Sequence, residues 1–229
     1  MKGIRHIAII LDGNRRFAKR LLLKPWKGHE FGAGKLRKLF TWCKELDIRE
    51  VTLYCLSIQN FNRPKGEFDY LMELFHKEFK DIINDKDIHK NKIRINFVGR
   101  LYMLPEKVRK EAEKLSKATE KYDKYIFNIC LAYGGKEEII DSFKRILEKR
   151  RDISPDEITD ELLSENMYFD SQPDLVIRTG GEKRTSNFLL WQSPYAEWFF
   201  LEKMWPEFDK KDLASIIEEF KQRERRFGR

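Results

Sequence analysis

Six short apolar runs, at residues 6–11, 51–56, 93–98, 125–131, 175–178 and 198–201, are spread along the chain with amphipathic stretches between them. Runs of this length, largely apolar at consecutive positions although Arg94 and Asn96 interrupt the third, read as strands buried on both faces, which need helices above and below the sheet. The intervening stretches supply them. Leu36, Leu39, Phe40, Cys43 and Leu46 recur at three- and four-residue steps, as do Phe68, Leu71, Phe75, Phe79, Ile82 and Ile83. Further helices are predicted over 105–121, with proline in the first turn, over 136–149 and over 209–227. The expectation is an α/β chain: a central, mostly parallel six-stranded sheet flanked by helices. No repeat and no Pro-, Gly- or Ser-rich linker interrupts the pattern, so residues 1–229 are expected to form one domain.

In an open parallel sheet, ligands bind beyond the carboxyl ends of the strands. Two donor-rich segments fall at such ends. After the run 175–177 comes Arg178-Thr-Gly-Gly-Glu-Lys-Arg184-Thr-Ser186-Asn-Phe188, which sets two guanidinium groups and a serine around two glycines, a composition suited to a phosphate or diphosphate. After the run 6–11 comes Asp12-Gly13-Asn14-Arg15-Arg16. Here a carboxylate can hold a divalent metal, a glycine lets backbone approach a ligand, and two arginines neutralise its charge. The alternative is a surface turn whose Asp and Asn cap the next helix.

The formal charge of +8 points to anionic partners. Nucleic acid is not expected, because no helix carries a one-sided basic stripe with interleaved aromatics. Cys43, Cys55 and Cys130 lie far apart in apolar runs and read as buried reduced thiols, hence a cytoplasmic setting. No apolar stretch approaches the roughly 18 residues of a spanning helix, and no signal peptide is evident.

Other motifs are weaker. Residues 28–36 superficially resemble a nucleotide-binding P-loop, but His29 stands where a glycine is required and Leu36 where a hydroxyl is required, which excludes that reading. His29 remains a phosphate donor or a packed histidine. Residues 57–64, Ser-Ile-Gln-Asn-Phe-Asn-Arg-Pro, suggest a mobile loop able to close over a ligand. Glu197 is an acid set among aromatics, which calls for a partner or a metal unless it faces water. The Phe-rich periodic stretch from Phe68 is either plain core or the wall of a cavity for a long apolar ligand.

Together, residues 6–16, 57–64, 128–135 and above all 173–200, followed by Arg226-Phe227-Gly228, resemble the cis-prenyltransferases, the family of undecaprenyl diphosphate synthase. The resemblance spans essentially the whole chain. It implies that family's fold with a hydrophobic tunnel, a homodimer, and condensation of isopentenyl diphosphate with an allylic prenyl diphosphate to give a polyprenyl diphosphate, a glycosyl-carrier lipid precursor. By the same resemblance, Asp12 binds Mg²⁺ and assists departure of the allylic diphosphate, which Gly13, Asn14, Arg15, Arg16, His29 and Arg63 surround. Arg178, Arg184 and Ser186 hold isopentenyl diphosphate, Glu197 joins the metal site, and Ser57 and Asn60 lie near the condensing carbons. Arg226 and Gly228 reach across the dimer to the partner's site. The oily product implies peripheral contact with a membrane surface. Pro25 departs from the family, standing where many members carry an arginine that Lys24 or Lys27 would replace, and so do Leu56, Ile58 and Gln59. Ile58 and Gln59 leave open prenyl transfer to a different acceptor; a further alternative is a non-catalytic subunit of a heteromeric enzyme, although such subunits usually lack parts of the diphosphate apparatus that this chain keeps.

Overall fold

The computed structural model describes residues 3–223. Six strands, β1 (His6–Ile10), β2 (Glu50–Tyr54), β3 (Ile93–Val98), β4 (Tyr125–Cys130), β5 (Leu175–Arg178) and β6 (Glu197–Phe200), form one sheet in the order β3-β4-β2-β1-β5-β6. Every pairing is parallel. The helices are α1 (Asn14–Arg20), α2 (Gly28–Glu45), α3 (Lys65–Ile82), α4 (Lys86–Lys90), α5 (Glu106–Thr119), α6 (Gly135–Lys149), α7 (Asp160–Asn166) and α8 (Lys210–Gln222). All six expected strands form, and all five expected helices. The short helices α1, α4 and α7 lack a sustained apolar period and were not anticipated.

Side chains alternate across the strands, so each sheet face has its own core. On one face Ile7, Ile9, Leu53, Phe127 and Ile129 pack with Leu39 of α2, Leu71 and Phe79 of α3, Val108 of α5 and Ile216 of α8. On the other, Ala8, Ile10, Tyr54 and Val176 meet Phe188 and Leu189, with Tyr54 stacked on Phe188 at 4.6 Å between ring centroids. Asn128 belongs to this second face, where it donates to Glu50 and Thr52 within the sheet.

The P-loop-like glycines lie inside α2, where Gly28 and Gly32 serve packing while Gly34 faces open space. A Cβ on Gly28 would stand 1.9 Å from the Asn14 carbonyl oxygen, and one on Gly32 would stand 2.4 Å from Asn14 Oδ1. Glycine is therefore what lets α1 seat against α2, and it brings the start of α1 to the sheet's carboxyl edge.

Candidate active site

β1 and β5 are neighbours, and the chain leaves them in opposite directions, toward β2 from one and toward β6 from the other. A crevice opens where connections diverge in this way. Because Ile10 is paired with Arg178, the turn after β1 and the loop after β5 emerge at the same level on the two sides of that crevice.

Arg178 is the centre of the arrangement. Its side chain is only 4% exposed, Nη2 donates to Asp12 Oδ2 at 2.9 Å, and Nη1 donates to Ser186 Oγ at 2.7 Å and to the Arg184 carbonyl at 2.5 Å. Its buried Nε has no protein partner. Asp12 in turn accepts the Gly13 N–H on Oδ1 at 2.6 Å, with Arg16 Nη2 at 3.7 Å. Gly13 has φ +104°, and a Cβ there would lie 2.7 Å from Met204 Cβ, so both conformation and space require glycine. The Asp12 carbonyl takes hydrogen bonds from Thr179 Oγ1 at 2.8 Å and Trp205 N at 2.9 Å. The turn is therefore clamped on both sides, and Asp12 has a fixed orientation. Ser186 and Asn187 have φ +51° and +63°. Asn187 holds that strained loop by accepting the Lys136 N–H at 2.9 Å and donating to Glu137 at 2.8 Å.

Arg15, His29 and Arg63 come together through a residue that the sequence did not single out. Glu67, buried in the first turn of α3, lies 3.1 Å from Arg63, 3.4 Å from Arg15 and 3.9 Å from His29. One buried carboxylate thus holds two guanidinium groups at the mouth. Arg63 Nη1 donates to His29 Nε2 at 3.4 Å, which requires an unprotonated acceptor nitrogen. Burial, and then the charges of Arg63 and Arg15, push the His29 imidazole down to about 3, while Glu67 is already shared between the arginines. The unfolded chain binds a proton near the ordinary histidine value and the folded chain resists it, so His29 contributes stability above about pH 6.5 that is lost as pH falls toward 3. The melting temperature of ligand-free protein is expected to fall more steeply below pH 6.5 in wild type than in His29→Asn, and parallel curves would contradict this assignment.

Two connected spaces meet at Asp12. One is a cationic cup of about 360 Å³ lined by Gly13, Asn14, Arg15, Arg16, Lys19, His29 and Arg63. The other is a cavity of about 680 Å³ whose mouth carries Ser57, Asn60, Arg178, Arg184 and Ser186. Its walls are Leu36 and Phe40 of α2, Leu71, Phe75 and Phe79 of α3, and Leu53 and Ile129 of the sheet. The Phe-rich helix therefore borders open space as well as core. Residues Ile58–Asn62 form a 3₁₀ turn, with Asn60 Oδ1 accepting the Ser57 N–H at 3.1 Å and Ile58 N donating to the Tyr133 carbonyl at 3.1 Å.

Three expectations need correction or limits. Glu197 starts β6 and is paired with Leu175, so it stands at the amino edge of the sheet, three strand residues or about 10 Å below the Arg178 level. There it accepts a hydrogen bond from Arg223 at 2.8 Å, and within one protomer it cannot share a metal with Asp12. Lys24 and Lys27 do not line the cup: Lys27 pairs with Glu30 at 3.0 Å and Lys24 lies over the Trp26 ring at 5.5 Å, whereas Lys19 does line it. Arg226 and Gly228 lie outside the described residues. Among those described, no group of three or more His, Cys, Asp or Glu side chains is placed to hold a metal.

Comparison with known proteins agrees with this geometry. The prenyltransferase family model of undecaprenyl diphosphate synthase matches residues 10–228. The chain is 48% identical, over 98% of its length and 87% of the relative's, to the tritrans,polycis-undecaprenyl-diphosphate synthase (geranylgeranyl-diphosphate specific) of Thermococcus kodakarensis. It is 42% identical, over 98% and 89%, to the isoprenyl transferase of Thermus thermophilus. Its fold matches that of lavandulyl diphosphate synthase from Lavandula x intermedia, solved with dimethylallyl diphosphate, at a TM-score of 0.90 and 30% identity, covering 99% of this chain and 98% of that one. A family model matching nearly end to end, over a sheet whose crevice gathers Asp12, Arg178 and the cationic cup, establishes that the chain belongs to the undecaprenyl diphosphate synthase family of prenyltransferases.

Proposed function

We propose that the protein is a cis-prenyl chain elongase that joins isopentenyl diphosphate to an allylic prenyl diphosphate and releases diphosphate. The observation that carries this reading is the Asp12–Arg178 contact at 2.9 Å, placed where a cationic cup opens onto an apolar cavity. The reaction needs two anion sites and one oily space. In each cycle the allylic C1–O bond breaks and its electrons leave on diphosphate. The isopentenyl C4 bonds to that C1, and a proton passes from isopentenyl C2 to a diphosphate oxygen.

Gly13, Asn14, Arg15, Arg16, His29 and Arg63 hold the allylic diphosphate, with Lys19 beside them. Their fixed positive charge favours the moment at which negative charge collects on the departing oxygen. Arg178, Arg184 and Ser186 hold isopentenyl diphosphate, all three at the mouth of the apolar cavity. Ser57 and Asn60 border the space between the reacting carbons. Mg²⁺ fits the donors at Asp12, since this ion is commonly held by one carboxylate together with substrate phosphates and water. When bound there, it supplies charge neutralisation for the leaving diphosphate. The growing chain extends into the cavity between α2, α3 and the sheet, which is the tunnel of this reading.

Relatives that share 44–48% identity with this chain carry names specifying geranylgeranyl diphosphate and an undecaprenyl product, which supports that starter and product here. The whole chain acts as one catalytic domain. α6 exposes Ile140, Phe143 and Leu147 at helical spacing, with Leu190 also exposed, and this apolar face supports a homodimer. The three free thiols are consistent with work in the cytoplasm, at the membrane surface that receives the product.

Purified protein with Mg²⁺ and labelled isopentenyl diphosphate is expected to give extractable polyprenyl product, fastest from geranylgeranyl diphosphate and more slowly from geranyl or farnesyl diphosphate. No product with any of the three starters would overturn the reading. Mass analysis of the product tests the alternative of a different acceptor.

A further inference from the structure

The formal net charge of the whole chain is +8, and residues 15–38 alone carry nine Lys and Arg against the single carboxylate of Glu30, so the remainder is neutral overall. Part of this charge lines the cup. Of the rest, Arg20 and Lys24 adjoin an apolar tip, Lys35 and Lys38 share a shallow hollow with Phe31, and Arg37 faces Glu78 and Asp85 instead. Leu21, Leu22 and Leu23 are 45%, 95% and 41% exposed, and Phe31, edge-on to Phe17 at 5.3 Å, is also exposed beside them. Arg20 is paired with Glu207 and Lys27 with Glu30, while Lys24 and Lys38 have no carboxylate partner among the described residues.

The local structure makes these leucines costly. α1 ends in a Schellman turn: Leu23 N donates to the Ala18 carbonyl at 2.9 Å and Leu22 N to the Lys19 carbonyl at 3.0 Å. Leu22 therefore occupies the left-handed position, φ +59°, where glycine is the favoured residue. A leucine there is unfavourable for the backbone, and almost its whole side chain meets water. Neither folding nor solubility accounts for it.

We propose that this corner docks on an anionic lipid bilayer, with Leu21, Leu22 and Leu23 entering the apolar layer and the surrounding lysines lying against headgroups. Basic residues ringing a small apolar insertion are the chemistry that such a surface recognises. Placement agrees: α1 is seven residues long, about 10 Å, and runs from Asn14 at the cavity mouth to this tip. The proposal deepens the elongase reading, on which it rests for the identity of the oily diphosphate delivered to the membrane. The vesicle test contains no substrate, so its outcome is independent of turnover.

The test is flotation of the full chain with phosphatidylcholine vesicles, with and without phosphatidylglycerol. Wild type is expected to float with the anionic vesicles, and at least about five-fold less with neutral ones, since each basic residue near an anionic surface contributes roughly that factor. Leu22→Gly keeps every charge and suits the left-handed turn, so its melting temperature is expected to be equal or higher. Its partitioning into anionic vesicles is expected to fall at least five-fold. Equal flotation of wild type and Leu22→Gly would mean binding by charge alone, as to any polyanion, and would overturn the proposal, as would no flotation of wild type. A smaller apparent mass for Leu22→Gly on sedimentation would also overturn it, by showing that the tip is a contact between copies of the chain.

Discussion

Asp12→Asn protein is expected to fold and bind allylic diphosphate, yet to turn over at least about 100-fold more slowly than wild type, in line with the loss of one preorganised electrostatic group at a reacting centre. Asparagine keeps the size of the side chain and an oxygen for the Gly13 N–H, now at 2.6 Å. What disappears is the negative charge 2.9 Å from Arg178, and with it the proposed anchor for Mg²⁺. The cup keeps Arg15, Arg16, His29 and Arg63, which hang on Glu67 and the backbone rather than on this charge alone, so KM for the allylic substrate is expected to change little. Asp12 is 31% exposed, and the loss of its pairing is expected to cost only about 1 kcal/mol of stability. A large fall in kcat with an almost unmoved melting temperature is the pattern to look for. A kcat within about three-fold of wild type would remove Asp12 from the chemistry.

Arg178→Lys is the second large effect. The two terminal nitrogens of Arg178 reach three acceptors in fixed directions, Asp12 Oδ2, Ser186 Oγ and the Arg184 carbonyl. A lysine keeps the charge but brings a single nitrogen on a flexible stem and cannot reproduce that fork. Two of the three acceptors lose their donor, and the loop carrying Arg184 and Ser186 loses its tie to Asp12. The expected result is a loss of about 100-fold in kcat/KM, seen chiefly as a raised KM for isopentenyl diphosphate. Stability is expected to fall by about 1–3 kcal/mol, the usual penalty for buried polar groups left unpaired. Ser186→Ala removes one acceptor only, and about a ten-fold loss or less is expected. Equal KM values for isopentenyl diphosphate in wild type and Arg178→Lys would place that substrate elsewhere.

The strands were legible because continuous apolar runs bounded by polar turns have few other readings, and the two donor-rich segments could be assigned to carboxyl ends because each follows its run. Their adjacency was not legible. Ile10 and Arg178 each end an apolar run, and nothing in the local pattern says that β1 and β5 are neighbours, although that pairing creates the crevice. Glu67 escaped notice because an acid in the first turn of a helix is ordinarily explained by the helix dipole. Only the fold reveals that it is buried beneath Arg15, Arg63 and His29. Glu197 shows the opposite failure. It precedes its apolar run, and in a parallel sheet a residue before a strand lies at the far edge from residues that follow one, so its position argued against a metal shared with Asp12 of the same protomer. The exposed leucines were hidden in the same way, because a run of three apolar residues carries no sign of which way it faces.

The central claim is that two diphosphates sit on opposite sides of Asp12 with their hydrocarbon ends converging on the apolar cavity. A crystal structure of wild-type protein with Mg²⁺, isopentenyl diphosphate and an unreactive thio analogue of the allylic diphosphate tests it most directly. The predicted result is one diphosphate among Arg15, Arg16, His29 and Arg63, the other on Arg178, Arg184 and Ser186, and the allylic chain between α2, α3 and the sheet. A single diphosphate spanning both groups of arginines, or an allylic chain lying outside the cavity, would contradict it.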